Sequence, residues 1–268
     1  MDEYQGKWAL VTGASAGLGA EFARQLAARG CNVVLTARRE DRLAVLSEEL
    51  ERTGVQTASI PADLSRRDAP GDIMAAMAAK GICPNVLVNN AGFGLTGEYA
   101  DRSWQEQGDF IQLMVTACAE LAHQCLPAMR ERGWGRVINV SSVAGLVPPS
   151  AGHTLYGASK AFLISFTQAL AAETEKDGVK CCVVCPGFTY TEFHDVNGTR
   201  EMLHKAMPDF MMLQAGDVVA GTLKAADRGH TVHVPGWQYK TIVALSRIMP
   251  LWLTEGIARA QQGRYRKT

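Results

Sequence analysis

Tyr156 and Lys160 stand four residues apart in LYGASKAF, residues 155–162. On a helix that spacing stacks two side chains on one face. A lysine ammonium beside a phenol favours the phenolate and draws a pKa of about 10 toward neutrality. A phenol tuned this way gives or takes a proton near neutral pH, which is general acid–base chemistry. Many helices carry such a pair on a solvated face, so its meaning depends on what else the chain supplies.

A second chemical signature lies in VTGASAGLGAEFARQLAARG, residues 11–30. It reads as strand, glycine-rich turn and helix, with Gly13, Gly17 and Gly19 at the turn. Such a turn lets the backbone approach a pyrophosphate at a helix N-terminus, where free N–H groups and the helix dipole favour an anion. The spacing is Gly-x-x-x-Gly-x-Gly rather than Gly-x-Gly-x-x-Gly, and glycines alone could make only a tight turn. The strand–turn–helix context favours a dinucleotide site. At the end of the second strand, LTARRED carries Arg38 and Arg39 where an NAD site usually carries an acid. Arg38 can take a 2′-phosphate through forked, charge-assisted hydrogen bonds, so NADP(H) is expected ahead of NAD(H). The bland reading of the same arginines is a solvated helix start partnered by Glu40 and Asp41.

These groups need a scaffold, and the chain spells one out. Apolar runs at 7–12, 32–37, 56–62, 85–90, 135–142 and 179–186 read as strands, with a late one at 231–235. Near-continuous apolar strands are buried on both faces, as in a parallel sheet. Helical patterns at about 17–29, 40–53, 66–80, 103–131 and 156–176 alternate with them. The expected fold is α/β: a doubly wound, Rossmann-type parallel sheet in a single domain spanning residues 1–268. Residues 188–215 break the rhythm with Met202, Met207, Met211 and Met212. Because this Met-rich insertion follows a strand's C-terminal end, where ligands bind in open α/β sheets, it is read as a substrate lid.

Composition excludes several classes. Lys+Arg and Asp+Glu both number 27, so no basic excess points to nucleic acid. The seven cysteines lie in apolar contexts and read as reduced, buried thiols; no second Cys/His cluster gives CCVVC, 181–185, a metal-ligand spacing. The opening MDEYQGKWALVTG lacks a signal peptide's pattern, so a cytoplasmic location is expected.

Taken in order, TGASAGLG (12–19), ADLS (62–65), NNAG (89–92), NVSS (139–142), YGASK (156–160) and PGFTYT (186–191) resemble the short-chain dehydrogenase/reductase family. The ordered set is far more specific than any one motif and spans most of the chain. The tail, with TEF, a Met/Phe-rich segment, VPG and a late MP, resembles a branch whose substrates are poorly defined. The resemblance implies that Tyr156 protonates a carbonyl oxygen as hydride arrives from the nicotinamide. It implies that Lys160 tunes Tyr156 and binds the nicotinamide ribose, and that Ser142 hydrogen-bonds the substrate oxygen. Ser141 is the rival serine; the following Val143-Ala144-Gly145 favours Ser142, although the stretch to Tyr156 is one residue longer than usual. By the same resemblance Gly13, Ser15, Gly17, Leu18 and Gly19 form the phosphate turn. Arg38 and Arg39 meet the 2′-phosphate, and Asp63 and Leu64 border the adenine. Asn90, Ala91 and Gly92 line the cleft, while Thr191, with Thr189, bonds the carboxamide or phosphates. Homodimers or homotetramers are implied as well.

One position departs from the family. LNVTA is expected where the chain reads LMVTA, so Met114 replaces an Asn that supports a helix kink and a water-linked proton path to the lysine. Methionine keeps the main-chain carbonyl but not the side-chain hydrogen bonds. Two functions follow. The first is an NADP(H)-dependent oxidoreductase acting on a hydrophobic ketone, aldehyde or secondary alcohol, with Phe188, Phe193, Met207, Phe210 and Met211 lining the substrate side. The alternative is a nucleotide-binding protein with weak or no catalysis because of Met114. At the C-terminal side, Ile242, Leu245, Met249 and Trp252 recur at helical spacing before a basic end. A membrane-surface helix fits that pattern, and packing on the domain or a partner subunit fits it better.

Overall fold

The computed structural model describes residues 3–95, 97–149, 151–190, 208–250 and 256. Its main sheet has seven parallel strands in the order β3-β2-β1-β4-β5-β6-β9. These are β1 (Trp8–Thr12), β2 (Asn32–Thr36), β3 (Thr57–Ser59), β4 (Val86–Asn89), β5 (Gly135–Val140), β6 (Val179–Val184) and β9 (Val232–His233). Alternate residues along each strand feed opposite cores. Val11, Val33, Val88, Ile138 and Cys182 join a cluster with α1 (Gly17–Ala28), α2 (Glu40–Glu51) and α7 (Ala215–Asp227). Leu10, Val34, Leu87, Val137 and Cys181 face the other way, onto α3 (Ala69–Ala79), α5 (Ala117–Glu131) and α6 (Thr154–Thr174). Two apolar faces explain why the strand sequences show almost no polar alternation.

The strand order reverses between β1 and β4. Chain leaving β1 turns to one side of the sheet and chain leaving β4 to the other, which opens a crevice at their C-terminal ends. The glycine-rich turn lies on one lip and Asn90-Ala91-Gly92 on the other.

Several elements differ from their sequence outlines. The stretch 103–131 is not one helix: α4 (Trp104–Ile111) passes into a π-helical turn, Gln112–Thr116, and then into α5. The strand expected at 56–62 shrinks to three residues at the sheet edge. Helix α3 starts at Ala69, held back by Pro70 in its first turn. In the region 188–215, β7 (Thr189–Tyr190) pairs in parallel with β8 (Leu213–Gln214). Residues 191–207 lie outside the described residues, and with them Thr191, Phe193, Met202 and Met207; so does Trp252. Helix α8 (Trp237–Ile248) leaves Ile242 and Leu245 exposed. No helix among the described residues is long and apolar enough to cross a membrane.

Candidate active site

The first wall is the turn after β1. Gly13, with φ +65°, lies so close to the β4 end that an added Cβ would stand 2.8 Å from Ala91 Cα. A Cβ on Gly19 would stand 2.2 Å from Gly13 O. The glycines therefore serve close backbone packing before they serve any ligand. Asn90 Nδ2 fastens the turn, donating to Thr12 O at 2.9 Å and Gly13 O at 3.2 Å. Thr12 Oγ1 in turn accepts from the N–H groups of Asn90 and Ala91 at 2.9 and 3.0 Å. Thr12, absent from the candidate residues, is the strut that joins both lips; its place at the head of TGASAGLG was its only signal.

Helix α1 begins beyond this turn with Ala16 at its N-cap, no side-chain cap and no acid in its first turn. The first N–H groups are thus left for an anion. Arg39 reaches back over the turn, its Nη2 donating to Ser15 Oγ at 3.0 Å, while Arg38 is exposed at the end of β2. Leu18 packs against the core, as does Leu64, 6 % exposed, whose side chain is committed to the helix–sheet layer. Only the main chain of Leu64 is left to border a ligand. Asp63 is half-buried and its Oδ1 takes Ser65 N at 3.0 Å and Ser65 Oγ at 2.8 Å.

The second wall brings Ser142, Tyr156 and Lys160 together. Helix α6 starts at Thr154, two residues earlier than its pattern, so Tyr156 sits in the first turn and Lys160 one turn later. A Cβ on Gly145 would stand 2.6 Å from Lys160 C, so the turn after β5 lies flush on α6 only because residue 145 is glycine. Ser142 Oγ accepts from Ala144 N at 3.2 Å and hydrogen-bonds the Tyr156 hydroxyl. Ser141, buried, donates to Lys160 O at 2.7 Å. Of the two serines, then, 142 meets the tyrosine and 141 is occupied in holding the helix.

Lys160 Nζ is buried, donates to Val140 O at 2.9 Å and lies 5.6 Å from the Tyr156 ring centre. Burial lowers its pKa to about 8; the neighbouring Cys118 and Cys185 only partly oppose that shift. The same burial holds the Cys118 thiol up at about 11 and Cys185 at about 12, so these neighbours are neutral. Burial also raises the Tyr156 phenol, and the Ser142 hydrogen bond lowers it by less. The net direction is upward, opposite to the one expected from a lysine one helical turn away. Desolvation of the hydroxyl outweighs a cation whose Nζ is aimed at a strand carbonyl. His153, three residues before Tyr156, places its ring 6.3 Å away and is held below its ordinary pKa by burial; nothing in its spacing marked it.

The departure at 114 resolves in an unexpected way. Met114 lies inside the π-helical turn, 1 % exposed, so the helix is interrupted at this point without an asparagine. Its thioether covers Gly92, with Sδ 2.7 Å from where a Cβ would stand. Polar fastening comes from beside it: Asn89 Nδ2 donates to Cys118 O at 3.0 Å and Asn139 Oδ1 at 2.9 Å, and Asn139 Nδ2 to Thr167 Oγ1 at 2.8 Å.

On the substrate side, Phe188 and Met211 are partly buried, whereas Phe210 is 61 % exposed and not enclosed. Thr189 is buried and donates to Gly187 O at 3.0 Å, so that hydroxyl is turned toward its own chain. Among the described residues no cluster of His, Cys, Asp and Glu could hold a metal.

Comparisons with known proteins agree with this layout. The family model for short chain dehydrogenases matches residues 7–220. An uncharacterized oxidoreductase of Myxococcus xanthus is 32 % identical over 259 residues, covering 97 % of this chain and 99 % of that protein. A very-long-chain 3-oxoacyl-CoA reductase of Bos taurus is 30 % identical over 94 % of this chain and 78 % of its own. Among solved structures, a 7β-hydroxysteroid dehydrogenase superposes with a TM-score of 0.85 at 28 % identity, covering 97 % and 98 % of the two chains. A Sphingobium yanoikuyae short-chain dehydrogenase in complex with NADPH gives 0.77 at 28 % identity, covering 98 % and 96 %. A Burkholderia phymatum relative in complex with NAD gives 0.79 at 28 % identity, covering 91 % and 94 %.

Proposed function

The chain belongs to the short-chain dehydrogenase family and is an oxidoreductase; from that premise we propose that it reduces a hydrophobic ketone or aldehyde, or oxidises the matching secondary alcohol, with NADP(H). The observation that carries this reading is the meeting of Ser142, Tyr156 and Lys160 across the crevice from an uncapped helix N-terminus. An anionic dinucleotide fits that helix end. Arg38 and Arg39 suit a 2′-phosphate, and no acid stands at the end of β2 to bond a free ribose hydroxyl. The relatives' cofactors include both NADPH and NAD, so the preference rests on these arginines.

When bound, the nicotinamide nucleotide supplies or accepts the hydride. The protein's own part is to manage charge on the substrate oxygen. In the reductive direction Tyr156 gives its proton to that oxygen while Ser142 donates a hydrogen bond to it. A raised phenol pKa keeps Tyr156 protonated at neutral pH, ready to act as an acid. Lys160, buried beside it, favours the phenolate left behind. Phe188 and Met211 offer apolar surface to the substrate, in keeping with the acyl and steroid substrates in the relatives' names. A homo-oligomer belongs to the same reading, by analogy with the family.

The test is NADPH oxidation with a panel of apolar ketones, aldehydes and diketones, run beside Tyr156→Phe. Turnover that disappears in the variant supports the reading; turnover that persists overturns it. Met114 sustains a second reading, nucleotide binding with feeble chemistry, because its side chain can order no water. Met114→Asn on the same panel separates the two: a large gain in turnover favours the second.

A further inference from the structure

Two neighbouring side chains at the start of α8 reach back to the substrate side of the crevice. Gln238 Nε2 donates to Phe210 O at 3.0 Å. The Tyr239 hydroxyl accepts from Phe188 N–H at 2.9 Å and donates to Met211 O at 2.7 Å. The Tyr239 ring lies on Gly187 so closely that a Cβ there would stand 1.9 Å from Cζ. Both side chains are buried, 8 % and 2 % exposed. Burial also holds the Tyr239 phenol above its ordinary pKa, so the hydroxyl keeps the proton that it donates to Met211.

These contacts form a pattern. Phe188 and Met211 are the described residues proposed to face the substrate, Phe210 adjoins Met211, and the main chain of each is held by Gln238 or Tyr239. The grip extends to the reacting centre. Gly187 follows Pro186, whose carbonyl accepts from Val143 N at 3.0 Å and from Ser142 Oγ at 3.5 Å. Ser142, the end of β6 and α8 are thereby linked in one chain of contacts.

We propose that Tyr239, with Gln238, is the positioning residue that fixes the substrate wall relative to Ser142 and so sets which bulky carbonyls fit. The inference rests on the reductase reading. Tyr239 acts through backbone it holds and touches no reacting atom.

Tyr239→Phe keeps the ring on Gly187 and removes the hydroxyl. Losing two hydrogen bonds is expected to raise KM for a bulky aryl ketone about tenfold, with kcat and the KM of a small aliphatic ketone changing less than about threefold. NADPH affinity is expected to match the parent, and Tyr99→Phe, at an exposed site, serves as the control. Hydrogen exchange gives a readout that needs no turnover: the Phe188 amide should exchange about tenfold faster in Tyr239→Phe while β6 amides hold their rates. Equal effects on bulky and small ketones, unchanged kinetics, or a Phe188 amide that stays protected would each overturn the proposal. Should the parent reduce no ketone, the reductase reading fails and the exchange measurement alone decides whether Tyr239 holds this wall. Should Tyr239→Phe not fold, Gln238→Met, which removes only the bond to Phe210 O, carries the same comparison of bulky and small ketones.

Discussion

Strand β5 has a buried cation at each end, and the two are treated in opposite ways. At its start Arg136 is 1 % exposed and richly partnered. Its Nη2 meets Glu3 Oε2 at 2.8 Å, its Nη1 donates to Gly135 O at 2.9 Å, and its guanidinium lies 4.4 Å from the Trp134 ring centre. Asp227 approaches to 3.9 Å, itself held by Arg29 and Tyr4. At the far end Lys160 is 5 % exposed and donates to a neutral carbonyl, Val140 O, among neutral thiols. The first cation is neutralised and serves the fold. Among the described residues the second has no carboxylate partner, and an ammonium so placed is what a proton-handling site needs: it is available to a phenolate and easily deprotonated.

The comparison is broken most severely by removing the active end. Tyr156→Phe and Lys160→Met are each expected to cut turnover by about 10²–10⁴-fold, the range for a positioned acid or base. Steady-state NADPH oxidation checks both. A Lys160→Met variant that kept its activity would show that this cation has no task.

Stability should respond in the reverse order. Arg136→Met takes the guanidinium from Glu3, Asp227 and the Trp134 ring and is expected to cost about 2 kcal/mol in charge-assisted hydrogen bonds and packing. Lys160→Met removes an uncompensated buried charge and is expected to be neutral or stabilising by about 1 kcal/mol. Urea unfolding of both variants decides, and an Arg136→Met chain as stable as the parent would erase the contrast.

A pH series sharpens the contrast further. Lys160 titrates near 8 when folded and near 10.5, its ordinary value, when unfolded. Between those values the unfolded chain binds more protons, so the contribution of Lys160 to stability rises with pH across that window and is lowest below 8. Buried thiols with raised pKa values act in the other direction. The quantity to follow is therefore the parent-minus-Lys160→Met difference in unfolding free energy, which should increase from pH 7.5 to about 10. A flat difference would mean that Lys160 is not desolvated.

The smallest expected effect concerns the thiols themselves. Cys83 is exposed, whereas Cys31, Cys118, Cys125, Cys181, Cys182 and Cys185 are buried. Under native conditions a thiol reagent should label one cysteine quickly without loss of turnover, and all seven after unfolding. Rapid native labelling at Cys118 or Cys185 would show that the pocket around Lys160 opens to water.

Much of the fold and of the crevice is legible in the sequence. The strands announced themselves because both of their faces are buried, and the ordered motifs located the crevice. What escaped the sequence was whatever depends on desolvation or on distant packing. No residue type in FIQLMVTACAEL announces a π-helical turn. The direction of the Tyr156 shift depends on burial of its hydroxyl, which the spacing to Lys160 does not encode. The hold of Tyr239 on Phe188 spans 51 positions, beyond any local periodicity. Thr12 was hidden because a threonine ending a strand is ordinary until its hydroxyl is seen accepting from two amides.

The cluster around Arg136 also bears on the order of events during synthesis. Tyr4 donates to Asp227 across 223 positions, and Glu3 meets both the Arg136 guanidinium and the Trp134 indole N–H. Residues just ahead of β1 thus wait for partners made much later in the chain. Until α7 has emerged, Glu3 can already meet Arg136 and Trp134, but Tyr4 lacks its Asp227 partner. Closure of this clasp comes once every strand of the main sheet except β9 has been made, so a translation product truncated before Asp227 would lack the Tyr4 contact and expose its first strand more readily to proteases and chaperones.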